Sequence, residues 1–340
     1  MNAAPPTTVS PWPHRSAVVL CCATFPLVWI GGLVTSTDAG MAVPDWPTTY
    51  GYNLFLYPWQ TWLFGPWDLF IEHGHRLFAS VVGLLTIALV VVFWRFDSRG
   101  WLKILAVVAM MLVIAQGVLG GMRVVLNERT LAMTHGCVGP GFFALTAALV
   151  VFTSRTWRAS EPVGVSSGRS LLAVLLLTTL ALSTQLIFGA MLRHVSDTAT
   201  PRQFYSAVHM HIGMVPIVAT LAMMQAWLVR RATAGPRIVR RLSLVLVAIV
   251  ALQIMLGAGT WLVKYSVPYW ASGWIESLPA SVTAGGWLQT LTVTAHVAGG
   301  SLLLAIAVAV TLFEARFVTS RRTTCDTAPA KSLFTGGAFA

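Results

Sequence analysis

Six of the chain's eight histidines fall in or at the edges of long apolar stretches: His73, His75, His135, His209, His211 and His296. An ionisable side chain in a membrane span is costly and usually functional. His14 lies in the N-terminal tail and His194 in a loop, and neither is assigned a role. Neutral imidazole is a common axial ligand of haem iron, so two histidines from facing helices can clamp one porphyrin. The natural pairs are His75 with His135 and His211 with His296. Residues two apart on a helix point roughly 200° apart, so His73 and His75 cannot share one ligand role, nor can His209 and His211. Repeat spacing favours His75 and His211; the choice against His209 rests mainly on it.

The two pairs differ in what stands beside them. Glu72 and Arg76 flank His75, whereas Val208 and Ile212 take those places around His211. A di-iron bundle site needs several carboxylates, often as Glu-x-x-His on two helices. Here Glu72-x-x-His75 occurs once, and that chemistry fails. The four cysteines, Cys21, Cys22, Cys137 and Cys325, form no CxxC or CxxCH, which leaves thiolate zinc and covalent haem attachment unsupported. A pair with a carboxylate and a guanidinium reads as reactive; a pair of bare imidazoles reads as a holding site for electron transfer. By themselves these residues reach a two-haem membrane redox protein.

Helices must carry the pairs. The 340 residues are 56% hydrophobic and 10% charged, with mean hydropathy +0.74, whereas a soluble domain carries roughly 25% charged residues. Apolar runs at 16–35, 73–94, 102–122, 132–153, 170–192, 208–229, 242–262 and 288–313 each reach the roughly 20 residues that a spanning helix needs. Arg95, Arg99, Arg155, Arg158, Arg230, Arg231, Arg240, Arg241 and the basic tail gather on one side. Only Arg123, Arg129, Arg193, Arg202 and Lys264 lie on the other. The positive-inside rule then makes both termini cytoplasmic and explains the net charge of +11 without nucleic acid. Residues 1–13 lack a basic n-region and cleavage site, so the first run reads as a retained span. The aromatic external loop 36–71 reads as an interfacial segment lying on the bundle or a lid over a ligand mouth; 263–287 is its weaker counterpart.

Three odd-numbered spans end alike, in Gln116-Gly-Val-Leu-Gly-Gly-Met-Arg123, Gln185-Leu-Ile-Phe-Gly-Ala-Met-Leu-Arg193 and Gln253-Ile-Met-Leu-Gly-Ala-Gly259. Trp29-Ile-Gly-Gly-Leu-Val-Thr35 resembles them without the glutamine. Small residues let backbones approach, for helix packing or for passage near a flat ligand. His75 and His211 are 136 residues apart, and Gln116 and Gln253 are 137 apart. The expected architecture is therefore all-α and polytopic: eight transmembrane helices in two four-helix halves, 16–153 and 170–314. A pseudo-twofold axis along the membrane normal relates them, and 1–15 and 315–340 form cytoplasmic tails.

Glu72-His-Gly-His75-Arg76, the Trp29–Thr35 segment, the three Gln-x-x-x-Gly motifs and the later histidines together resemble the haem A synthase family over roughly 16–314. The resemblance implies an oxidoreductase of the bacterial inner membrane that converts haem O to haem A, oxidising its C8 methyl to a formyl group through successive hydroxylations. It implies that His75 and His135 handle substrate haem, that His211 and His296 ligate a b-type haem, and that Glu72 is the essential carboxylate. Arg76, Arg123 or Arg129 would pair with propionates. Haem O synthase upstream, the cytochrome oxidase assembly machinery downstream and membrane lipid are the implied partners. Two departures stand out: segment 36–71 lacks the cysteine pair of some bacterial members, and Ile212 replaces a common arginine. The competing reading is a bis-histidine b-type cytochrome that transfers electrons without modifying haem, which gives Glu72 no task. A transporter or structural assembly subunit would leave the aligned histidines incidental.

Overall fold

The computed structural model describes residues 9–159, 168–196, 198–231, 237–265 and 285–325. Among these the chain is helical, with one isolated bridge between Thr49 and Tyr52. The helices are α1 (Trp12–Ser36), α2 (Trp59–Leu63), α3 (Trp67–Phe96), α4 (Gly100–Val125), α5 (Arg129–Thr153), α6 (Arg155–Arg158), α7 (Gly168–Arg193), α8 (Pro201–Arg231), α9 (Arg237–Tyr265) and α10 (Trp287–Cys325). Eight of them, all but α2 and α6, are long and apolar enough to cross a bilayer. The chain is thus a polytopic all-α membrane protein.

Several helices outrun their apolar stretches. The α3 helix begins at Trp67, not near 73, and α8 at Pro201, not near 208. Hydropathy registers only the part of a helix that sits in hydrocarbon, while the helix itself continues into the polar interface. Proline at the first position of α8 helps, because its fixed φ suits a helix start and its missing N–H has no helical partner there anyway. The consequence is functional: His75 and His211 lie two to three turns inside their helices, held by rigid backbone. The α10 helix likewise continues to Cys325, through residues expected to be tail. Most of loop 263–287, including Trp270 and Trp274, lies outside the described residues.

Helices α1, α3, α4 and α5 pack as a ring of neighbours, and α7, α8, α9 and α10 form a second ring. The rings meet chiefly through α5 against α10, with α1 also on α10 and α5 on α7. Half of the apolar window of α5 and of α10 is buried, against 22–33% in the other six spans, so these two helices form the centre. In lipid there is no hydrophobic drive between spans, and close packing of small residues takes its place. Gly32 of α1 meets Thr294 of α10, and Gly300 of α10 meets Leu186 of α7.

At the end away from the paired histidines, Asp97 is 5% exposed and pairs with Arg99 at 2.7 Å and Arg158 at 3.4 Å. Burial alone would raise its carboxyl; hydrogen bonds from Arg99 and the charges of Arg99 and Arg158 hold it below the usual range. This cluster ties the α3–α4 turn to the segment after α5.

Candidate functional site

Each candidate ligand histidine rests on a glycine of the preceding spanning helix. A Cβ at Gly31 would stand 3.1 Å from His75 Cε1, and one at Gly120 would stand 3.0 Å from His135 Cε1. In the second ring a Cβ at Gly189 would be 3.1 Å from His211 Cε1, and one at Gly257 would be 3.1 Å from His296 Cε1. All four contacts are tighter than a β-carbon normally makes, so glycine lets each imidazole lie against helix backbone. The glutamine one turn earlier fixes the same neighbour. Gln116 Nε2 donates to the carbonyl of His135 at 3.3 Å, and Gln185 Nε2 to that of His211 at 3.1 Å. Gln253 packs its side chain onto Gly299, three residues past His296. In two of the three Gln-x-x-x-Gly motifs the glutamine thus holds the histidine's backbone, and in all three the glycine takes its ring.

The rings of His211 and His296 are 6.1 Å apart between centroids and nearly perpendicular, at 87°. Two metal–nitrogen bonds of roughly 2 Å, plus half of each ring, give a separation of roughly 6 Å, so one ion fits between them. In the first ring His135 acts electrostatically on His75. His135 Nδ1 lies 3.1 Å from the Gln116 carbonyl. A carbonyl only accepts, so Nδ1 carries the proton and Nε2 keeps its lone pair for a metal. Nδ1 of His75, His211 and His296 is buried without a hydrogen bond.

His209 is exposed and bonds the Tyr205 carbonyl of its own helix at 2.6 Å through Nδ1. The structure therefore brings His211, not His209, to His296. His73 is 2% exposed; its Nδ1 meets Thr49 Oγ1 at 3.0 Å and its ring packs against Tyr57 and Trp62. Among the described residues no three or more His, Cys, Asp or Glu side chains converge as a metal site. A bare ion would need further protein ligands. A porphyrin brings four in-plane nitrogens and needs only the two axial imidazoles, so the donor set fits haem.

The first pair has a dense polar roof. Glu72 is 2% exposed; Oε2 accepts the backbone N–H of Val43 at 2.9 Å and Oε1 accepts from Arg76 at 2.8 Å. Arg76 also donates to the carbonyls of Val43 at 2.8 Å, Asp45 at 2.7 Å and Thr48 at 3.1 Å. The expected substrate-binding Arg76 thus spends its Nη1 and Nη2 atoms on the loop. The loop is self-braced: Asp45 accepts from Thr48 Oγ1 and from the N–H groups of Tyr50 and Gly51, where Gly51 adopts φ +79. Burial works against ionisation of Asp45, and these hydrogen bonds more than offset it, leaving its carboxyl below the usual range. Trp46 lies where a side chain on Gly121 would be, and Arg123 donates to the Gly40 carbonyl at 3.1 Å. Loop 39–52 is therefore packed onto α3 and α4 above the first pair. Around His211, Val208 is buried and Ile212 is 53% exposed.

These features define a class, a polytopic helical membrane protein with two glycine-seated histidine pairs. Residues 66–205 are similar to the COX15-CtaA family, described as cytochrome oxidase assembly protein. That segment holds Glu72, His75, Arg76 and His135 and stops short of His211. A haem A synthase of Shouchella clausii is 35% identical over 127 residues, 37% of this chain and 39% of the relative. One of Exiguobacterium sibiricum is 33% identical over 178 residues, 50% of this chain and 55% of the relative. A protoheme IX farnesyltransferase of Haloarcula marismortui is 34% identical over 122 residues, covering 34% of this chain and 23% of the relative. In these matches the chain spans about half the length, or less, of the relatives.

Proposed function

We propose that the chain is a haem A synthase, oxidising the C8 methyl of haem O to a formyl group. The carrying observation is an asymmetry: each of the four histidines has its own glycine seat, yet among the described residues a buried carboxylate stands one turn from His75 alone. His75 and His135 hold the substrate, and His211 and His296 hold haem b. The matched family and the two bacterial haem A synthases support this reading.

Glu72 is three residues before His75, on the same side of α3. With water as the oxygen source and an external electron acceptor taking the electrons, oxidation of a methyl to a formyl group releases protons, and Glu72 is placed to accept one or to order that water. Arg76 balances its charge and the Val43 N–H fixes its direction, so the carboxylate is held ready in a site that its own loop roofs over. His135, with Nδ1–H on the Gln116 carbonyl, offers Nε2 to iron in a fixed orientation. When bound, the haem of the second pair supplies reversible one-electron transfer. The histidine end faces outward across the bacterial inner membrane and both termini are cytoplasmic. Haem O synthase supplies the substrate, which enters from membrane lipid, and oxidase assembly receives the product.

Chromatography of haems extracted from cells that express this chain with a haem O synthase tests the reading. Haem A or its hydroxylated precursor is expected. Haem O unchanged beside protein-bound haem B, with intact protein and a known synthase working in parallel, would favour the electron-transfer cytochrome instead.

A further inference from the structure

We propose that Arg193 is the carboxylate receptor of the second histidine pair, recognising an acid group on the rim of a tetrapyrrole held by His211 and His296. The inference rests on the two-haem reading and adds a binding residue to it.

Arg193 closes α7 one turn beyond Gly189, the seat of His211, and its charge also acts on His296. It therefore lies one turn past the seat of His211 and within electrostatic reach of His296. Its Nη2 donates across to the other half, to the Gly32 carbonyl at 3.0 Å and to Ser36 Oγ at 3.0 Å. Thr294, two residues before His296, donates to the same Ser36 hydroxyl at 3.1 Å. Nη2 is thus tethered, while Nη1 of the same planar group is buried without a partner. No described carboxylate pairs with this guanidinium. Arg123, one turn beyond Gly120, acts on both His75 and His135 but has Glu72 nearby.

The surroundings are cationic. Arg193, Arg123, Arg129 and Lys264, drawn from both halves, all act on His194. A buried guanidinium without an anion is costly. A ligand carboxylate facing the free edge of the fork would form the short charge-assisted bond that Arg geometry favours.

The test uses the full chain with His75→Ala and His135→Ala, so that only the second pair binds. Ferric protohaem and its dimethyl ester are each titrated into this protein and followed by the low-spin bis-imidazole spectrum. With Arg193 present the free acid should bind about tenfold more tightly than the ester. Arg193→Gln should bring that ratio close to one while the ester's affinity stays within about twofold. Arg193→Met, which also removes the buried charge, is the second variant should the first fail to fold, and the same ratio is expected. An undiminished ratio overturns the proposal, as does equal weakening of both ligands, which would make Arg193 only a bridge between the halves. If neither ligand gives a bis-imidazole spectrum with Arg193 intact, the two-haem reading itself fails.

Discussion

The two histidine pairs are built alike and dressed differently. Four imidazoles lie on four glycines, where an added β-carbon would stand only 3.0 to 3.1 Å from each ring, on four-helix rings joined through α5 and α10. Above the first pair, Glu72 and Arg76 clasp a loop; at the matching places of the second stand Val208 and Ile212. The scaffold supplies ligand geometry twice, while the carboxylate and its roof come once. Under the proposed function, the reaction follows from what breaks the repeat and haem ligation from what obeys it.

The largest effect is expected from removing the asymmetry. Glu72→Ala should lower haem A formation by at least about a hundredfold and leave bound haem B in place, measured on extracted haems. Retained synthesis would take the carboxylate out of the chemistry. Next come the seats. Valine at Gly189 or Gly257 should displace the second pair alone, and valine at Gly31 or Gly120 the first alone, each at about 1–3 kcal/mol of overpacking. Low-spin haem signals of single-pair proteins report which site is lost, and loss at the wrong site would break the glycine-seat rule. Adjacent Gly121 sharpens the point, because an added β-carbon there meets Trp46 instead; Gly121→Ala should loosen the loop and spare His135.

A smaller effect concerns the roof. Arg76→Ala removes the donor to three loop carbonyls and should speed proteolysis within 42–49 roughly tenfold, whereas Ile212→Ala should change no cleavage rate. Cleavage at the same rate in both would mean that Arg76 does not hold the loop. The smallest involves His194. Burial, and then the charges of Arg193, Arg123, Arg129 and Lys264, lower its pKa to about 4. The unfolded chain takes up this proton near pH 6.5, before the folded chain does, so its contribution is full above 6.5 and falls toward pH 4. His194→Asn should flatten the thermal-stability profile across that window, and an unchanged slope would place the titration elsewhere.

Sequence patterning carried the spans, the pairs and the repeat, because hydropathy and spacing are local properties. The glycines were visible too, as close approach of backbone to something flat, but that the flat object is a histidine ring needed the packing of adjacent helices. Helix phase separates His209 from His211 without saying which faces inward; only the contact with His296 does. The clasp of Arg76 on the loop was not legible, because the carbonyls of Val43, Asp45 and Thr48 are backbone groups about 30 residues away that leave no side-chain signature. Arg193 read only as an external charge closing a repeated motif, because its partners, the Gly32 carbonyl and the Ser36 hydroxyl, lie more than 150 residues away.

The division of labour between the pairs is tested most directly by deleting each in turn and measuring both haem A formed and haem B retained in the purified protein. Removing His75 and His135 should abolish haem A and leave haem B bound, while removing His211 and His296 should strip haem B. Haem A formed without the first pair, or haem B lost with it, would contradict the assignment.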